Sequence, residues 1–388
     1  MPISLTGPLT VRKVEAKADF NTLITFPWQV YKNDPNWVPP LLSMLREHYD
    51  PKHSPAWEYL TGEFYIAWRG DQPVGTIAAF VNQRHNDYWD ENMGFFGAFE
   101  VFDDQEATDA LLQTAADYVQ GHGCSALRGP FTFSTNGECG ILVDGFDDPP
   151  VVMYTYTPRY YPRLFENAPG FAQVMDLYAY RITFQNALRA EKLDKIYRIT
   201  ERNNERRGIT IRSGDPKNMQ AEFALVKKIY NNAWNRNWGF VPFSDRELDV
   251  LAAELGQYIH SRMLLIAELA GDPVAFILAL PDMNQALHAA YARPGKPEVI
   301  SLLQTLWHWK IRSKITRLRI MLMGIEKPYR NIGIDAALFV EALKTSEEMG
   351  WHAADGGWVL DNNDSMNQLA HALNGDHYKT WRIYQRSF

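Results

Sequence analysis

The most informative part of this chain is residues 324–338, which read Gly324-Ile325-Glu326-Lys327-Pro328-Tyr329-Arg330-Asn331-Ile332-Gly333-Ile334-Asp335-Ala336-Ala337-Leu338. Before it, Thr316 to Met323 alternates between apolar and basic residues and then becomes an apolar run, which predicts a buried strand. After it, Ile334 to Met349 carries apolar residues at helical spacing, and Gly350 follows as a stop signal. The stretch is therefore predicted to connect a strand to a helix.

This connection has the composition of a phosphate-binding turn. It contains Arg330 and Gly333, and the small residue Ala336 stands in the first turn of the predicted helix. The first N–H groups of a helix have no partner inside the helix and lie at the positive end of its dipole, where phosphate groups bind. A plain turn without a ligand is the alternative interpretation of the same residues.

The same residues carry a family resemblance. The stretch from Arg330 to Asp335 resembles the Arg/Gln-x-x-Gly-x-Gly/Ala loop that holds the coenzyme A pyrophosphate in GCN5-related N-acetyltransferases. Asp335 departs from that pattern, and its side chain must turn outward to avoid repelling the phosphates. The resemblance implies acetyl-CoA or a longer acyl-CoA as co-substrate. It implies a thioester site at Met323 to Ile325 and cofactor contacts from Arg330, Asn331, Ile332, Gly333, Ile334, Asp335 and Ala336.

The residues downstream extend the resemblance. A short strand is predicted from Gly357 to Asn363, followed by a helix from Asp364 to Leu373 with Asn363 or Asp364 as its N-cap. Gly375 is predicted to end this helix in the left-handed conformation, before a last strand from His377 to Tyr384. This order is similar to the C-terminal half of the same acetyltransferase fold, which implies that Asn363 lies near the pantetheine arm.

Composition limits the class of protein. A chain of 388 residues is long enough for two domains, and a net charge of −7 argues against nucleic acid as a partner. Cys124 and Cys139 are too few for a disulfide framework, and we expect them to be core thiols. No apolar run approaches the ~20 residues of a membrane span, and no signal pattern or Cys/His metal cluster is recognised. We therefore expect a cytoplasmic protein without a bound metal.

The residue pattern predicts a series of strands and helices before the stretch quoted above. A hairpin at Gly70-Asp71 is followed by a central strand and a helix, and Gly271-Asp272 in the second half marks a similar hairpin. The predicted strands are Leu9–Val14, Glu63–Trp68, Pro73–Asn82, Gly94–Val101 and Ser125–Pro130, then Arg262–Leu269 and Pro273–Leu280. The predicted helices are Asp19–Tyr31, Leu41–His48 and Ala107–Gln120.

Three local matches in the same order indicate two copies of one fold. The hairpins correspond, Thr108 to Leu112 matches Ile334 to Leu338 at the helix after the central strand, and Tyr160 to Phe171 parallels Asp364 to Gly375. We predict an α/β (α+β) protein with two tandem acetyltransferase-like domains, each a mixed sheet flanked by helices. The predicted bounds are 1–186 for the first copy, 187–208 for a helical linker and 209–388 for the second copy.

Only the second copy is predicted to bind coenzyme A. The first copy has Phe102-Asp103-Asp104-Gln105-Glu106 at the equivalent position, without the glycine or the arginine and with three acids that would oppose a diphosphate. The second copy also has an insertion with an apolar helix from Val299 to Ile311. Its Trp307 and Trp309 are either core and interface residues or the lining of an acyl-chain groove.

Several blocks resemble the bacterial ceramide synthase-like branch of this superfamily, over nearly the whole chain. They are the Gly- and Pro-rich segment from Gly129 to Pro150, the residues from Tyr154 to Phe171, Asn237 to Pro242, and Pro281 to Asn284. The resemblance implies transfer of an acyl group to a small-molecule or lipid amine, with a sphingoid-type base as one acceptor. Since no transmembrane segment is predicted, a peripheral membrane contact is left open. It implies substrate contacts from Asn136, Tyr160, Asn237, Trp238 and Asn284. Tandem copies are also known in Fem-type aminoacyl transferases, but the acidic charge and the phosphate loop favour coenzyme A.

Three acids are candidates for the base that removes a proton from the amine. Glu326 ends the central strand beside the loop, Glu138 lies in the Gly-rich segment, and Asp282 follows the hairpin strand. The alternative for each is a structural or solvated acid. On the helix after Asn363, Ala370 and His371 stand where many of these transferases carry a tyrosine that protonates the thiolate. A non-catalytic acyl-CoA-binding or regulatory protein is the second hypothesis. The sequence leaves the oligomeric state open.

Overall fold

The computed structural model describes residues 7–184, 191–235, 237–256 and 258–388. The chain folds into two compact units. Unit 1 runs to Leu177 and adds two later segments, Asn284–Arg312 and Lys379–Phe388, whereas unit 2 consists of Tyr178–Met283 and Ser313–Tyr378. The domain limits given above concern where one copy of the fold ends and the next begins, and they remain a prediction.

The described residues form thirteen strands and thirteen α-helices. The strands are β1 Leu9–Lys13, β2 Leu60–Arg69, β3 Gln72–Asn82, β4 Met93–Val101, β5 Ala126–Gly129, β6 Ile141–Asp144, β7 Ala172–Thr183, β8 Ile209–Ser213, β9 Leu264–Leu269, β10 Asp272–Pro281, β11 Arg317–Ile325, β12 Ala353–Leu360 and β13 Asp376–Ser387. The helices are α1 Lys17–Thr25, α2 Pro27–Val30, α3 Leu42–Tyr49, α4 Gln83–Trp89, α5 Gln105–Gly121, α6 Tyr161–Glu166, α7 Glu191–Arg207, α8 Met219–Trp234, α9 Asp245–Gly256, α10 Asn284–Ala290, α11 Glu298–Leu306, α12 Ile334–Glu348 and α13 Asp364–Ala372.

The sheet of unit 1 has the strand order β1–β2–β3–β4–β5–β13, and β6 also pairs with β13. The strands from β1 to β4 are antiparallel neighbours, whereas β4 and β5 run parallel because α5 connects them. Helix α5 packs on this sheet through small and branched residues such as Ala115 and Val119. At Gly94 the helix lies so close that an added Cβ would meet Val119 at 2.3 Å, which explains a glycine in this strand.

The sheet of unit 2 has the order β7–β12–β11–β10–β9–β8. Here β8 to β11 are antiparallel neighbours, and β11 runs parallel to β12 with α12 as the connection. Helix α12 covers the sheet with Leu338, Phe339 and Leu343, which are buried in one apolar core. The order of strand, helix and parallel strand therefore recurs in both units, which confirms the prediction of two copies of one mixed α/β fold.

Most predicted elements are present within one or two residues, and the differences have local causes. The helix predicted from Asp19 to Tyr31 is two helices, since Pro27 has no N–H to continue the first and begins the second instead. The left-handed residue after α13 is Asn374 with φ 54°, not Gly375. Strand β12 begins at Ala353, four residues before the predicted start, and α5 begins at Gln105, so Thr108 lies within its first turn.

The Gly- and Pro-rich segment from Gly129 to Pro150 is more ordered than its composition indicates. It contains strand β6, and Phe131, Cys139 and Leu142 are buried in it. Both cysteines are buried free thiols, as expected. The helical linker is helical from Glu191 to Arg207, and the predicted residues before 191 lie outside the described part.

Candidate functional site

The two parallel strands of unit 2 separate halfway along their length. Strands β11 and β12 pair from Arg317 with Ala353 to Ile320 with Gly356. Strand β11 continues to Ile325 and β12 to Leu360, but this register contains no further pair. The strand ends beyond Ile320 therefore face an opening in the sheet, with backbone groups that the sheet itself does not satisfy.

Two N–H groups of β11 point into this opening. The N–H of Glu326 donates to the carbonyl of Val274 at 3.0 Å, so it faces β10. Because successive N–H groups of a strand alternate in direction, Gly324 also faces β10, whereas Met323 and Ile325 face the opposite edge. Side chains from outside the ladder confirm this direction, since Trp234 Nε1 donates to the Met323 carbonyl at 2.7 Å and Arg330 Nε to the Ile325 carbonyl at 3.2 Å.

The loop between β11 and α12 is held in a conformation that requires glycine. Asn331 and Gly333 have positive φ angles of 61° and 90°, and Gly333 is the N-cap of α12 without a side chain to cap it. Asn203 of α7 donates through Nδ2 to the carbonyl of Ile332 at 2.7 Å. A Cβ at position 333 would meet that same Nδ2 at 2.9 Å. Asn203 therefore fixes the loop, and only glycine leaves room for it.

The start of α12 presents a run of free backbone N–H groups. The first helical hydrogen bond is donated by Ala337, to the carbonyl of Gly333 at 3.0 Å. For the six N–H groups from Asn331 to Ala336, the described residues provide no hydrogen-bond acceptor. Together with the dipole of the fifteen-residue helix, these groups form a place for an anion such as a diphosphate.

Arg330 stabilises this loop. Besides its bond to Ile325, its guanidinium donates to the carbonyl of Ala233 near the end of α8. A planar guanidinium suits this task because it donates in two fixed directions at once. The predicted cofactor residue Arg330 therefore contacts the backbone of its own unit in this structure. The groups that the loop can offer to a ligand are its backbone N–H groups.

The equivalent strand end in unit 1 is closed by tyrosine side chains. The N–H of Phe102 donates to Val74 at 3.1 Å, as Glu326 does to Val274, and Gly75 pairs with Val101 as Ala275 pairs with Ile325. In unit 1, however, the Val101 N–H donates to the hydroxyl of Tyr161 at 2.8 Å, and Tyr160 donates its hydroxyl to the Val101 carbonyl at 2.7 Å. Tyr161 thus occupies the N–H group whose counterpart on Ile325 has no acceptor among the described residues, and Tyr160 donates to the carbonyl whose counterpart on Ile325 accepts from Arg330.

The helix start in unit 1 is also closed, by a carboxylate. Asp104 is the N-cap of α5 and accepts from the N–H of Ala107 at 3.1 Å, while Arg69 Nε donates to it at 2.8 Å. Burial raises the pKa of Asp104, but the hydrogen bonds from Arg69 and Ala107 outweigh it and hold the pKa below its usual value. A permanent negative charge of the protein thus stands where unit 2 has room for a phosphate.

The three predicted bases lie in different surroundings. Glu326 is partly exposed next to the loop and accepts from Asn232 Nδ2 at 3.2 Å. The Asp282 side chain is fully buried, and its carboxylate accepts a hydrogen bond from the Arg317 guanidinium at 3.0 Å. The two side chains form a buried ion pair, which is typical of a structural role. Glu138 is exposed and belongs to unit 1.

The remaining predicted residues are divided between the units. In unit 2, Asn363 accepts from Met366 N at 3.3 Å as the N-cap of α13, and Asn237 donates its N–H to the Trp234 carbonyl at 2.8 Å, followed by half-buried Trp238. In unit 1, Asn284 Nδ2 donates a hydrogen bond to the Pro150 carbonyl at 3.0 Å. The N–H of Asn136 donates to Ser134 Oγ at 3.2 Å, and the hydroxyl of Tyr160 donates to the Val101 carbonyl. Unit 2 thus contains every predicted cofactor residue, together with Asp282, Glu326, Asn237 and Trp238.

Sequence reasoning missed a buried polar cluster at the point where β11 and β12 separate. Asp355 is fully buried opposite Arg319 of β11, and Tyr378 donates its hydroxyl to the Asp355 carboxylate. Burial and the nearby Asp355 raise the pKa of Tyr378 well above its usual value. The sequence signal for this cluster is the acid Asp355, which follows the apolar residues Ala353 and Ala354. The strand predicted from the sequence starts only at Gly357 and therefore does not include Asp355. No group of three potential metal ligands is found among the described residues.

Comparison with known proteins identifies relatives of full length. No family model matches the chain. It is 30% identical to Protein YghO of Escherichia coli (strain K12) over 385 residues, covering 97% of this chain and 95% of that protein. It is also 30% identical to the bacterial ceramide synthase of Caulobacter vibrioides (strain NA1000 / CB15N) over 397 residues, covering all of both chains.

Solved structures with the same architecture are much more distant in sequence. A tandem GNAT protein from the clavulanic acid biosynthesis pathway matches with a TM-score of 0.54 and 11% identity, covering 98% of both chains. A GCN5-related N-acetyltransferase from Sphaerobacter thermophilus matches with a TM-score of 0.50 and 13% identity, covering 98% of this chain and 97% of that one. At such identities the likeness establishes the fold alone. Taken with the full-length relatives, it shows that the chain belongs to the bacterial ceramide synthase-like branch of the tandem GCN5-related N-acetyltransferase proteins.

Proposed function

We propose that this protein is an acyl-CoA-dependent N-acyltransferase that acts in the cytoplasm on a small-molecule or lipid amine, with coenzyme A bound only by the second copy of the fold. The observation that carries the proposal is the run of six N–H groups from Asn331 to Ala336 at the start of α12, for which the described part of the chain offers no acceptor. The full-length relative named bacterial ceramide synthase supports a lipid amine and a long acyl group. The dependence on acyl-CoA and the amine acceptor are both proposed on the basis of the acyltransferase fold and the family relationship.

The proposed division of labour follows the geometry of unit 2. The thioester of acyl-CoA supplies an activated carbonyl carbon and a thiol leaving group. The N–H groups from Asn331 to Ala336 would bind its diphosphate, Asn363 would lie beside the pantetheine arm, and the N–H groups of Met323 and Ile325 would donate to the carbonyl oxygen. Such donors are held in place before the reaction by Trp234 and Arg330, so they require little reorganisation when negative charge develops on the oxygen.

Glu326 is the base that we propose for the amine. It stands immediately after Ile325, it is partly exposed, and its neighbour Asn232 is a neutral donor that leaves the carboxylate able to accept a proton. Asn237 and Trp238 follow α8, whose last residue contacts Met323, and we propose them as contacts for the substrate. Asp282, Glu138, Asn136, Tyr160 and Asn284 remain candidates from the sequence alone.

A second candidate function is binding of acyl-CoA without catalysis. Two observations favour it. Asp335 places a carboxylate in the first turn of α12, and the position where many of these transferases carry a tyrosine holds the buried Ala370 and the exposed His371. Both hypotheses require the loop to bind coenzyme A, and they differ only in whether a thiol is released.

Calorimetric titration with coenzyme A, acetyl-CoA and a long-chain acyl-CoA tests the common requirement. We expect binding of all three, with the strongest for the long-chain thioester. A titration without heat, together with an unchanged melting temperature for every ligand, would exclude both hypotheses. Release of free thiol in the presence of a sphingoid-type or simple alkyl amine then separates the enzyme from the binding protein, because a binding protein leaves the thioester intact.

A further inference from the structure

Helix α11 of unit 1 has its apolar residues on the wrong side for a helix surrounded by water. The residues that it buries are Ser301 and Thr305, which are small and polar. The Thr305 hydroxyl is satisfied within the helix by the Ser301 carbonyl at 2.8 Å. The exposed side carries large apolar residues that continue into the π-helical segment Trp307–Ile311. This apolar face consists of Val299, Ile300, Leu302, Leu303, Leu306, Trp307 and Ile311.

The concentration of exposed apolar residues in this face is unusual for the molecule. Eleven large hydrophobic side chains of the described part are exposed, and seven of them lie in the apolar face. Leu303 is 61% and Ile311 is 64% accessible to solvent. Single exposed hydrophobic residues are ordinary, but a contiguous group indicates an interaction surface, because each such side chain would gain about 1 kcal/mol or more from leaving water.

The structure holds this face on a fixed support. The segment Asn284–Arg312 belongs to unit 1, and several hydrogen bonds fasten it there. Trp28 Nε1 donates to the Ala292 carbonyl at 2.8 Å, and Ser43 donates both its N–H and its hydroxyl to Glu298. The outward direction of the leucines therefore results from an anchored helix that turns its polar side to the protein.

The charges around the apolar face identify its partner. Residues 293–312 contain four basic residues and one acid, in a chain whose net charge is −7. All four basic residues are exposed, namely Arg293, Lys296, Lys310 and Arg312. The one acid, Glu298, accepts hydrogen bonds from the N–H and the hydroxyl of Ser43. The Lys310 ammonium lies 3.5 Å from the centroid of the Trp309 ring. A short amphipathic helix with leucines and tryptophans flanked by exposed cations is the pattern of a protein segment that lies in the surface of an anionic bilayer.

We propose that the apolar face of α11 and the Trp307–Ile311 segment inserts into the boundary between headgroups and acyl chains of a membrane with anionic lipids. No helix among the described residues is long and apolar enough to cross a bilayer, and α11 with nine residues matches a helix lying in the surface. A second copy of the chain fits less well, since a symmetric contact would bring the same four cations together. The proposal does not depend on the coenzyme A site.

Vesicle co-sedimentation of the full chain tests the proposal. We expect binding to vesicles of phosphatidylcholine mixed with phosphatidylglycerol, and weaker binding to phosphatidylcholine alone. Replacing Leu302, Leu303 and Leu306 by serine should reduce binding about tenfold or more, and so should Lys310→Glu combined with Arg312→Glu. A matched control with Tyr88→Ser and Ile199→Ser, which are exposed apolar residues outside α11 and its Ser43 anchor, should bind like the unchanged protein.

A label on the face gives a second and direct measurement. Both native cysteines are buried, so Leu303→Cys can be labelled selectively with an environment-sensitive fluorophore. We expect its emission to shift to the blue with anionic vesicles. Unchanged emission, or equal vesicle binding by the serine variant, would overturn the proposal. A dimer in sedimentation velocity that the serine variant abolishes, without any vesicle binding, would overturn it in favour of self-association.

Discussion

Asp104 and Gly333 occupy the same place in the two copies of the fold, at the N-cap of the helix that follows the central strand. Asp104 fills the helix start of unit 1 with its own carboxylate and is fixed by Arg69. Gly333 has no side chain, and no described acceptor satisfies the N–H groups of the loop that it closes. The same backbone design thus carries a built-in anion in one copy and leaves the position to a ligand in the other.

The variant Ala336→Glu separates ligand binding from folding. A glutamate in the first turn of α12 favours the helix dipole, so the free energy of unfolding should stay unchanged or rise by a few tenths of a kcal/mol. The same charge lies among the N–H groups proposed for the diphosphate, so we expect coenzyme A binding to fall about 100-fold or more. Calorimetry and chemical denaturation provide the two readouts, and the neutral Ala336→Gln is the control. Undiminished binding by the glutamate variant would refute the proposed loop.

Position 336 is a better place for this test than Gly333. Any side chain at Gly333 would have to adopt φ 90° and would crowd Asn203, so a loss of binding there would combine strain with charge.

Removal of the acidic side chain of Asp335 should have the opposite effect. Asp335→Asn deletes one negative charge beside the proposed diphosphate, and we expect coenzyme A to bind about three to ten times more tightly at low salt. The gain should shrink when the titration is repeated in concentrated salt, because ions screen the interaction. A weaker affinity for the asparagine variant would mean that Asp335 contacts the ligand as a hydrogen-bond acceptor instead.

The two hydrogen bonds of Arg330 should be worth more to the loop than its charge. Arg330→Met removes the bonds to the Ile325 and Ala233 carbonyls, and we expect a loss of about 1–3 kcal/mol in the free energy of unfolding. Arg330→Lys keeps the charge but cannot donate in the same two directions, so it should resemble the methionine variant. Denaturant unfolding of the three proteins checks this, and full rescue by lysine would speak for an electrostatic role.

A catalytic role of Glu326 has a distinct kinetic signature. If it is the base for the amine, Glu326→Gln should lower kcat by about 100-fold or more while the affinity for acyl-CoA stays close to that of the unchanged protein. Asn232→Ala removes the donor to Glu326 without removing the carboxylate and should change kcat much less. Thiol release measured against pH for each variant provides the data, and a glutamine variant with normal turnover would exclude Glu326 as the base.

Unit 1 should become less stable as the pH rises through neutrality. Burial raises the pKa of Glu100 to about 8, although the hydroxyls of Tyr161 and Tyr31 donate to its carboxylate. Between the usual carboxyl pKa and 8, the folded state binds a proton that the unfolded state does not. The free energy of unfolding therefore falls with increasing pH in this window, by up to about 1.4 kcal/mol per pH unit.

The variant Glu100→Gln removes this dependence because an amide does not titrate in that range. We expect its denaturation midpoint to change less than that of the unchanged protein between pH 5.5 and pH 8, a window chosen around the pKa shift. Parallel profiles for the two proteins would show that Glu100 is not the group responsible.

Local sequence patterns determined much of this protein. The alternating and helical spacing of apolar residues predicts most strands and helices, and the hairpins at Gly70 and Gly271 indicate the repeat. These signals are readable because they depend only on residues that are close along the chain. The loop from Arg330 to Ala336 was recognisable for the same reason. A proline acts on its own backbone, as Pro27 does between α1 and α2, whereas the left-handed residue after α13 is Asn374 and not the predicted Gly375.

Contacts between distant residues decided what the pattern could not. That the N–H groups of Met323 and Ile325 face an opening depends on where β11 leaves β12, and their direction depends on Val274, some fifty residues away in sequence. The burial of Asp355 and Asp282 and the outward leucines of α11 likewise follow from packing. A side chain's partner is a property of the folded chain, because burial and hydrogen bonding join residues that no local spacing relates.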